Sequence, residues 1–388
     1  MQKTYFILTL GCQMNISDSQ RIESKLSELG YKSAPEKEAD LVIVNACSVR
    51  QHAVDRIWGK LKRWAILGEK QILITGCILK ADASKFKVRN VATFKITQLN
   101  NLENIINSKN QKDILDSLAY FHINPNHVGQ EAYIPIMTGC DNFCSYCAVP
   151  YTRGREVSRK IDDVIAEVKT AVKSGHNKIM LLGQNVNSYG IKSNNSHSEQ
   201  SAFRHAESFA NAKSRTSREI PHSVRDDKVN NDNFIELLNQ IDNIDGDFTF
   251  NFMSSNPHDM SDGLIDCYAN LKKWPRQIHL AMQSGDDEIL KKMNRKYTSK
   301  QFLELVSKLK NKIPNIKIST DVIVGFPGET KEQFNNTVKI CKKISFNQVF
   351  IGQYSPRPGT VSAKMVDDVS KEEKKRRWEI LNNLINHL

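Results

Sequence analysis

No apolar run in this 388-residue chain approaches the roughly 20 residues that a membrane-spanning helix requires. The N-terminus "MQKTYFILTLGCQMN" lacks the basic n-region and cleavage site of a signal peptide, and Thr9 interrupts its apolar stretch. It reads as a first β-strand. These absences predict a cytoplasmic protein with no membrane association. Acidic residues are outnumbered, 43 Asp and Glu against 55 Lys and Arg, for a net charge of +12. An enzyme for small metabolites needs no such surplus, whereas a phosphate backbone as partner would account for it. Without an export signal, the eight cysteines are expected to be free, catalytic or metal-bound rather than paired as disulfides. The last thing missing is a fourth cysteine where one is expected. "GCDNFCSYCAVPYTRG", residues 139–154, carries Cys140, Cys144 and Cys147, one short of a closed metal site.

What is present is a repeated design. "YFILTLGC", "LVIVNAC" and "QILITGC" are apolar, β-rich runs ending at Cys12, Cys47 and Cys77. Helical patterns lie between them, including "SDSQRIESKLSELG" with a capping Ser17 or Asp18 and a terminating Gly30. Strands alternating with helices predict an α/β fold with a parallel sheet. The carboxyl ends of such strands share one edge, where ligands bind. The three cysteines, remote in sequence, are therefore expected to converge. A linker around "DSLAYFHINPNHVGQEA" closes this first domain, residues 1–130.

A second series follows over residues 131–388. "AYIPIMT", "KIMLLGQNV", "FTFNFMSS", "QIHLAMQS", "IKISTDVIVGF" and "QVFIGQYS" read as strands, each followed by a helical pattern. Six β/α units fall short of the eight of a closed barrel, so an open, partial (β/α)6 barrel is expected, its site at the strand carboxyl ends. The Ser-, Asn- and Arg-rich segment at about 191–232 breaks the pattern and is expected to be a disordered insertion. The basic run "KEEKKRR" is expected to be a solvated helix face, and Cys267 and Cys341, inside helical patterns, structural.

The spacing C-x3-C-x2-C crowds three thiols too closely for separate disulfides. Cysteine thiolates hold iron–sulfur clusters, whose full complement is four. Three ligands leave one iron open, as in a catalytic metal site. A zinc site completed by a remote residue is the alternative on spacing alone.

With Tyr146 before its last cysteine, at the end of a first barrel strand, this motif resembles the radical S-adenosylmethionine superfamily. "GCQMN", "NACSVR", "TGC" and "CAVPYTRGREVSR" together resemble the tRNA methylthiotransferase family within it, from residue 4 to the end apart from the polar insertion. The resemblance implies a [4Fe-4S] cluster on Cys140, Cys144 and Cys147 whose open iron chelates S-adenosyl-L-methionine. It implies a second, auxiliary [4Fe-4S] cluster on Cys12, Cys47 and Cys77. Family patterns also place Gln184, Asn185, Gln283, Asp321 and Gly325 among cofactor contacts, together with Tyr146. Arg153, Arg155 and Arg159 could hold the cofactor carboxylate or an RNA backbone, or simply line a solvated loop.

The implied reaction is methylthiolation of carbon 2 of N6-isopentenyladenosine beside a tRNA anticodon. One S-adenosylmethionine methylates a sulfur associated with the auxiliary cluster, and a second yields the 5′-deoxyadenosyl radical that abstracts hydrogen. Family members that act on threonylcarbamoyl-adenosine in tRNA, or on a ribosomal-protein aspartate, share both triplets; a non-catalytic iron–sulfur RNA-binding protein is the reading from another class. The implied partners are a tRNA anticodon stem-loop and an electron donor such as flavodoxin or ferredoxin, with the chain acting as a monomer. The family's C-terminal β-barrel RNA-binding domain is expected to be absent after the last barrel helix, in a chain that is either a truncated form or weakened in tRNA affinity.

Overall fold

The computed structural model describes residues 2–47, 51–67, 70–86, 90–107, 118–191 and 231–385. Its first part runs β1 (Thr4–Thr9), α1 (Gln13–Glu28), β2 (Lys32–Ser33), β3 (Leu41–Cys47), α2 (Gln51–Leu67), β4 (Gln71–Cys77), α3 (Lys80–Ala83), β5 (Val91–Thr93) and α4 (Leu102–Ile106). The strands form one sheet in the order β2-β1-β3-β4-β5, every neighbour parallel. The central strand β3 is apolar apart from the buried Asn45 because both its faces are covered, as parallel sheets require. Leu41 and Ile43 join Ile22 and Leu26 of α1 on one face, while Val42 and Val44 join Val54, Ile57 and Leu61 of α2 on the other.

The expected linker is not a loose one. Tyr120, Phe121 and Ile123 are buried in the first core beside Leu99 and Leu102. Burying an aromatic of this size contributes about 1.5–3 kcal/mol, enough to pull a connecting segment into a core.

The second part runs β6 (Glu131–Pro135), β7 (Met137–Thr138), α5 (Val149–Thr152), β8 (Val157–Ser158), α6 (Ile161–Lys173), β9 (Lys178–Leu182), α7 (Asp232–Asp242), β10 (Thr249–Phe252) and α8 (Asp262–Asn270). It continues with β11 (Gln277–His279), α9 (Asp287–Lys292), α10 (Ser299–Lys312), β12 (Lys317–Val324), α11 (Lys331–Ile344), β13 (Gln348–Gln353) and α12 (Lys371–Ile385). Parallel β6-β9-β10 and β11-β12-β13 are joined by the bridge Ser255–Leu280, so six parallel strands follow one another in chain order. Among the described residues β6 and β13 do not pair, and the barrel is open along that seam. Strand β12 alternates strictly. Ile318, Val322 and Val324 enter the core that holds Val306 of α10 and Phe334 of α11, while Ser319, Asp321 and Ile323 occupy the other face.

The expected disordered insertion lies almost wholly outside the described residues, and Asp232 at its end already opens α7. The "KEEKKRR" run differs from its expectation. Lys374 and Arg377 are buried, paired with Asp367 at 2.6 Å and Glu329 at 2.7 Å. One face of α12 packs on the barrel, and a long cation turned inward needs a carboxylate. Cys267 and Cys341 are buried within α8 and α11.

Candidate active site

The first sheet delivers its three cysteines to one edge. Cys47 and Cys77 close β3 and β4 directly opposite each other in register. Cys12 follows the end of β1 at the N-cap of α1. A buried asparagine pair locks the edge. Asn15 donates to Asn45 Oδ1 at 2.8 Å and to Ala46 O at 3.1 Å, and Asn45 donates back to Asn15 O at 2.7 Å. Burial pushes the Cys77 thiol up to about 12; the adjacent Arg153 works against this, and Cys47 and Cys12 add to it. These three sulfurs therefore share one electrostatic neighbourhood. Gly76 makes the approach possible, since at φ +99° a Cβ there would lie 2.3 Å from Ala46 O. Gly76→Ala is expected to cost about 1–3 kcal/mol and to displace Cys77; thermal denaturation with anaerobic iron analysis checks both.

The second group sits on the loop after β7. Gly139 turns it at φ +78°, where a Cβ would lie 1.9 Å from Arg155 O. The loop is pinned to the end of α9. Ser145 donates from N to Met293 O at 3.0 Å and from Oγ to Lys292 O at 2.7 Å, while Asn294 donates to Phe143 O at 3.0 Å. Arg295 donates to Cys144 Sγ at 3.4 Å and to Ala281 O at 2.7 Å. Burial raises Cys140 well above the ordinary thiol range and pushes Cys147 up to about 12, Cys144 adding to both. Cys77 adds slightly to the rise at Cys147.

The other expected contacts are distributed around the same barrel mouth. Tyr146 packs against Ile289, Met293, Phe326 and Tyr354. Gln184 and Asn185 follow β9. The Gln184 Oε1 is buried without a partner, whereas the Asn185 amide is engaged, donating to Asp259 at 2.5 Å and accepting from Asn256 N at 3.2 Å. Gln283 is held at φ +66° by backbone bonds to Asp321 and Ile323. Asp321, half-exposed, accepts from or pairs with His279 Nε2 at 3.0 Å, and the other ring nitrogen lies 3.1 Å from Ser319 Oγ. Gly325, at φ +69°, donates to the Glu329 carboxylate at 2.7 Å, and Lys374 packs against its Cα. Arg155 forks onto Asp141 at 2.7 and 3.0 Å and lies over Phe143. Arg295 and His279 carried no signal in the sequence. They belong to no short motif and gain meaning only from what lies beside them.

The two parts meet through buried charge. Arg21 of α1 and Arg159 both reach Glu167 of α6 at 2.7 Å, and both guanidinium groups flank the Phe121 ring. Arg357 pairs with Asp82 at 2.5 Å, both side chains buried. Arg153, on the cysteine loop, donates from Nε to Cys77 Sγ at 2.9 Å and from Nη2 to Asp18 Oδ2 at 2.6 Å. Of the three loop arginines, none stands as a free cation.

The donor set suits iron–sulfur clusters: six thiols, none in a disulfide, at two loop-and-strand edges, each edge with an arginine on one sulfur. The Nη1 of Arg153 is buried with no partner, a donor left over beside Cys77. Among the described residues no three His, Cys, Asp or Glu side chains gather around a single metal ion. Thiolates serving a four-iron cube stand farther apart than ligands of one zinc.

Residues 134–341 match the Radical SAM superfamily and residues 4–95 the Uncharacterized protein family UPF0004. Over 406 residues the chain is 36% identical to the tRNA-2-methylthio-N(6)-dimethylallyladenosine synthase of Clostridium botulinum strain Langeland, covering 99% of this chain and 82% of that one. The enzyme of the same name from Clostridium novyi is 37% identical over 408 residues, covering 100% and 82%. Among solved structures, the radical S-adenosylmethionine methyltransferase TsrM from Kitasatospora setae, with cobalamin and a [4Fe-4S] cluster bound, has a TM-score of 0.57 over 93% of this chain and 77% of its own. The cobalamin-dependent S-adenosylmethionine radical enzyme OxsB has the same TM-score over 96% and 56%. At 13% and 10% identity these two share the fold alone. On the full-length sequence similarity, the chain belongs to the family of tRNA-2-methylthio-N6-dimethylallyladenosine synthases, within the radical S-adenosylmethionine superfamily.

Proposed function

We propose that this chain methylthiolates carbon 2 of N6-isopentenyladenosine in tRNA, giving 2-methylthio-N6-isopentenyladenosine. It is a transferase of the radical S-adenosylmethionine class, with two [4Fe-4S] clusters and S-adenosylmethionine as cofactors. In this reading Cys140, Cys144 and Cys147 hold the cluster that binds S-adenosylmethionine, and Cys12, Cys47 and Cys77 hold the auxiliary one. Residues 1–130 form the domain of the auxiliary cluster and 131–388 the partial barrel. When bound, these groups supply the electron, the hydrogen-abstracting radical and the methylthio group.

The observation that carries the reading is that Arg153, just after the loop of Cys140, Cys144 and Cys147, donates to Cys77 Sγ of the other triplet at 2.9 Å. A base held between the two triplets would meet both reagents at one place. The chain's own contribution is positional. The open seam between β6 and β13 admits a base turned out of a single-stranded loop, the kind of RNA target proteins can stack. Asp321 on β12 and the adjoining Gln283 would orient cofactor or base. The +12 charge suits the phosphates of an anticodon stem.

The substrate contact is the anticodon stem-loop, the reductant a flavodoxin- or ferredoxin-like electron donor, the working unit a monomer and the location the cytoplasm. Among the described residues no helix is long and apolar enough to cross a membrane. Expression in a host lacking its own enzyme tests the function. Nucleoside mass spectrometry is expected to find the methylthio product, and to lose it in Cys147→Ala. Unchanged isopentenyladenosine with the intact chain would sink the proposal.

A further inference from the structure

We infer that Arg153 is a positioning residue that sets the reduction potential of the group held by Cys12, Cys47 and Cys77, acting from the loop that carries the other triplet. The inference rests on the assignment of those cysteines to an iron–sulfur cluster.

The geometry is specific. Arg153 follows α5, six residues after Cys147, yet its Nε donates 2.9 Å to the sulfur of Cys77 in the other part of the molecule. Its side chain is 3% exposed, so no water competes for the guanidinium. Asp18, fully buried on α1, holds Nη2 at 2.6 Å and fixes the plane of the fork. Nη1 is buried and unpartnered, and Asp18 Oδ1 likewise. An unsatisfied buried donor costs free energy, which a sulfide of the bound group would relieve.

Reduction adds one negative charge to an iron–sulfur cluster, and donors to its sulfurs raise the potential. A fixed cation in a dry site stabilises the reduced form more than the oxidised one. Because Arg153 sits on the loop of the second triplet, movement of that loop would change the potential of the first. Asp18 tempers the effect by placing a negative charge behind the cation. The two side chains therefore act with opposite sign, which a purely structural tie would not do.

The test uses the full chain carrying Cys140→Ala, Cys144→Ala and Cys147→Ala, so that the N-terminal group gives the whole signal. Anaerobic iron and sulfide analysis is followed by dithionite titration monitored by electron paramagnetic resonance. Adding Arg153→Gln is expected to leave iron content unchanged and to lower the one-electron reduction equilibrium at least tenfold, about 59 mV. Asp18→Asn, which keeps the acceptor and removes the charge, is expected to shift it the other way. Arg153→Lys, which keeps the charge, is expected to fall between Arg153→Gln and the parent, and replaces Arg153→Gln should that variant fail to assemble. Full iron with an unmoved potential, or shifts of the same sign from Arg153 and Asp18 variants, would overturn the inference. A parent without iron would overturn the ligand assignment, and the inference with it.

Discussion

Replacing Cys140, Cys144 and Cys147 together by alanine is expected to halve the iron content of the anaerobically reconstituted protein, from about eight atoms to about four, since each triplet is assigned one four-iron cluster. Replacing Cys12, Cys47 and Cys77 is expected to do the same from the other side. Both variants should make no methylthio product. The two differ in what survives. The protein lacking the N-terminal triplet should still cleave S-adenosylmethionine to 5′-deoxyadenosine when reduced, whereas the protein lacking the loop triplet should not. The physical basis is that the triplets are anchored independently, one by β3, β4 and the Asn15–Asn45 lock, the other by α9 through Ser145 and Asn294. Emptying one set leaves the supports of the other in place. Loss of all iron from either variant would instead mean that the six thiols serve one shared site.

The second large effect concerns Glu167. Its carboxylate is the common partner of Arg21 and Arg159, whose side chains are 0% and 5% exposed. Glu167→Ala leaves two buried cations uncompensated at the junction of the two parts. Removing one partner of a buried pair costs about 3–5 kcal/mol, and the expected loss lies at the upper end because two cations are stranded. Chemical denaturation measures it. The pH dependence has a definite sign. Burial alone would raise the Glu167 pKa, but Arg21 and Arg159 outweigh it and hold the carboxyl below its ordinary value of 4.5. A depressed carboxyl stabilises the fold fully above pH 4.5, and that contribution fades as the pH drops through the lower folded value. The wild type is therefore expected to lose stability on acidification below 4.5 more steeply than Glu167→Gln. Equal acid slopes would count against the network as a tie between the parts.

Much of the architecture was legible from alternation alone. The runs ending at Cys12, Cys47 and Cys77 are apolar because parallel strands are covered on both faces, and six later runs announced an open barrel. The loop cysteines were legible because C-x3-C-x2-C is local. Less visible were residues whose importance depends on a remote partner. "MNRKY" marks nothing about Arg295 until Cys144 lies beside it. Tyr120 and Phe121 read as linker because two aromatics in a polar stretch show no periodicity. Basic runs were misleading for a related reason: charge is counted along the chain, but Lys374, Arg377 and Arg159 are neutralised by carboxylates brought from elsewhere.

The order of strands and helices, the two groups of three thiols and the surplus of positive charge were determined by the sequence itself, because periodicity and spacing act over neighbouring residues. The reach of Arg153 to Cys77 and the single carboxylate shared by Arg21 and Arg159 were decided by tertiary structure. Such contacts join positions up to 146 residues apart, through the packing of one part of the chain on the other. No local pattern encodes them, since a buried charge chooses its partner only when folding removes the water.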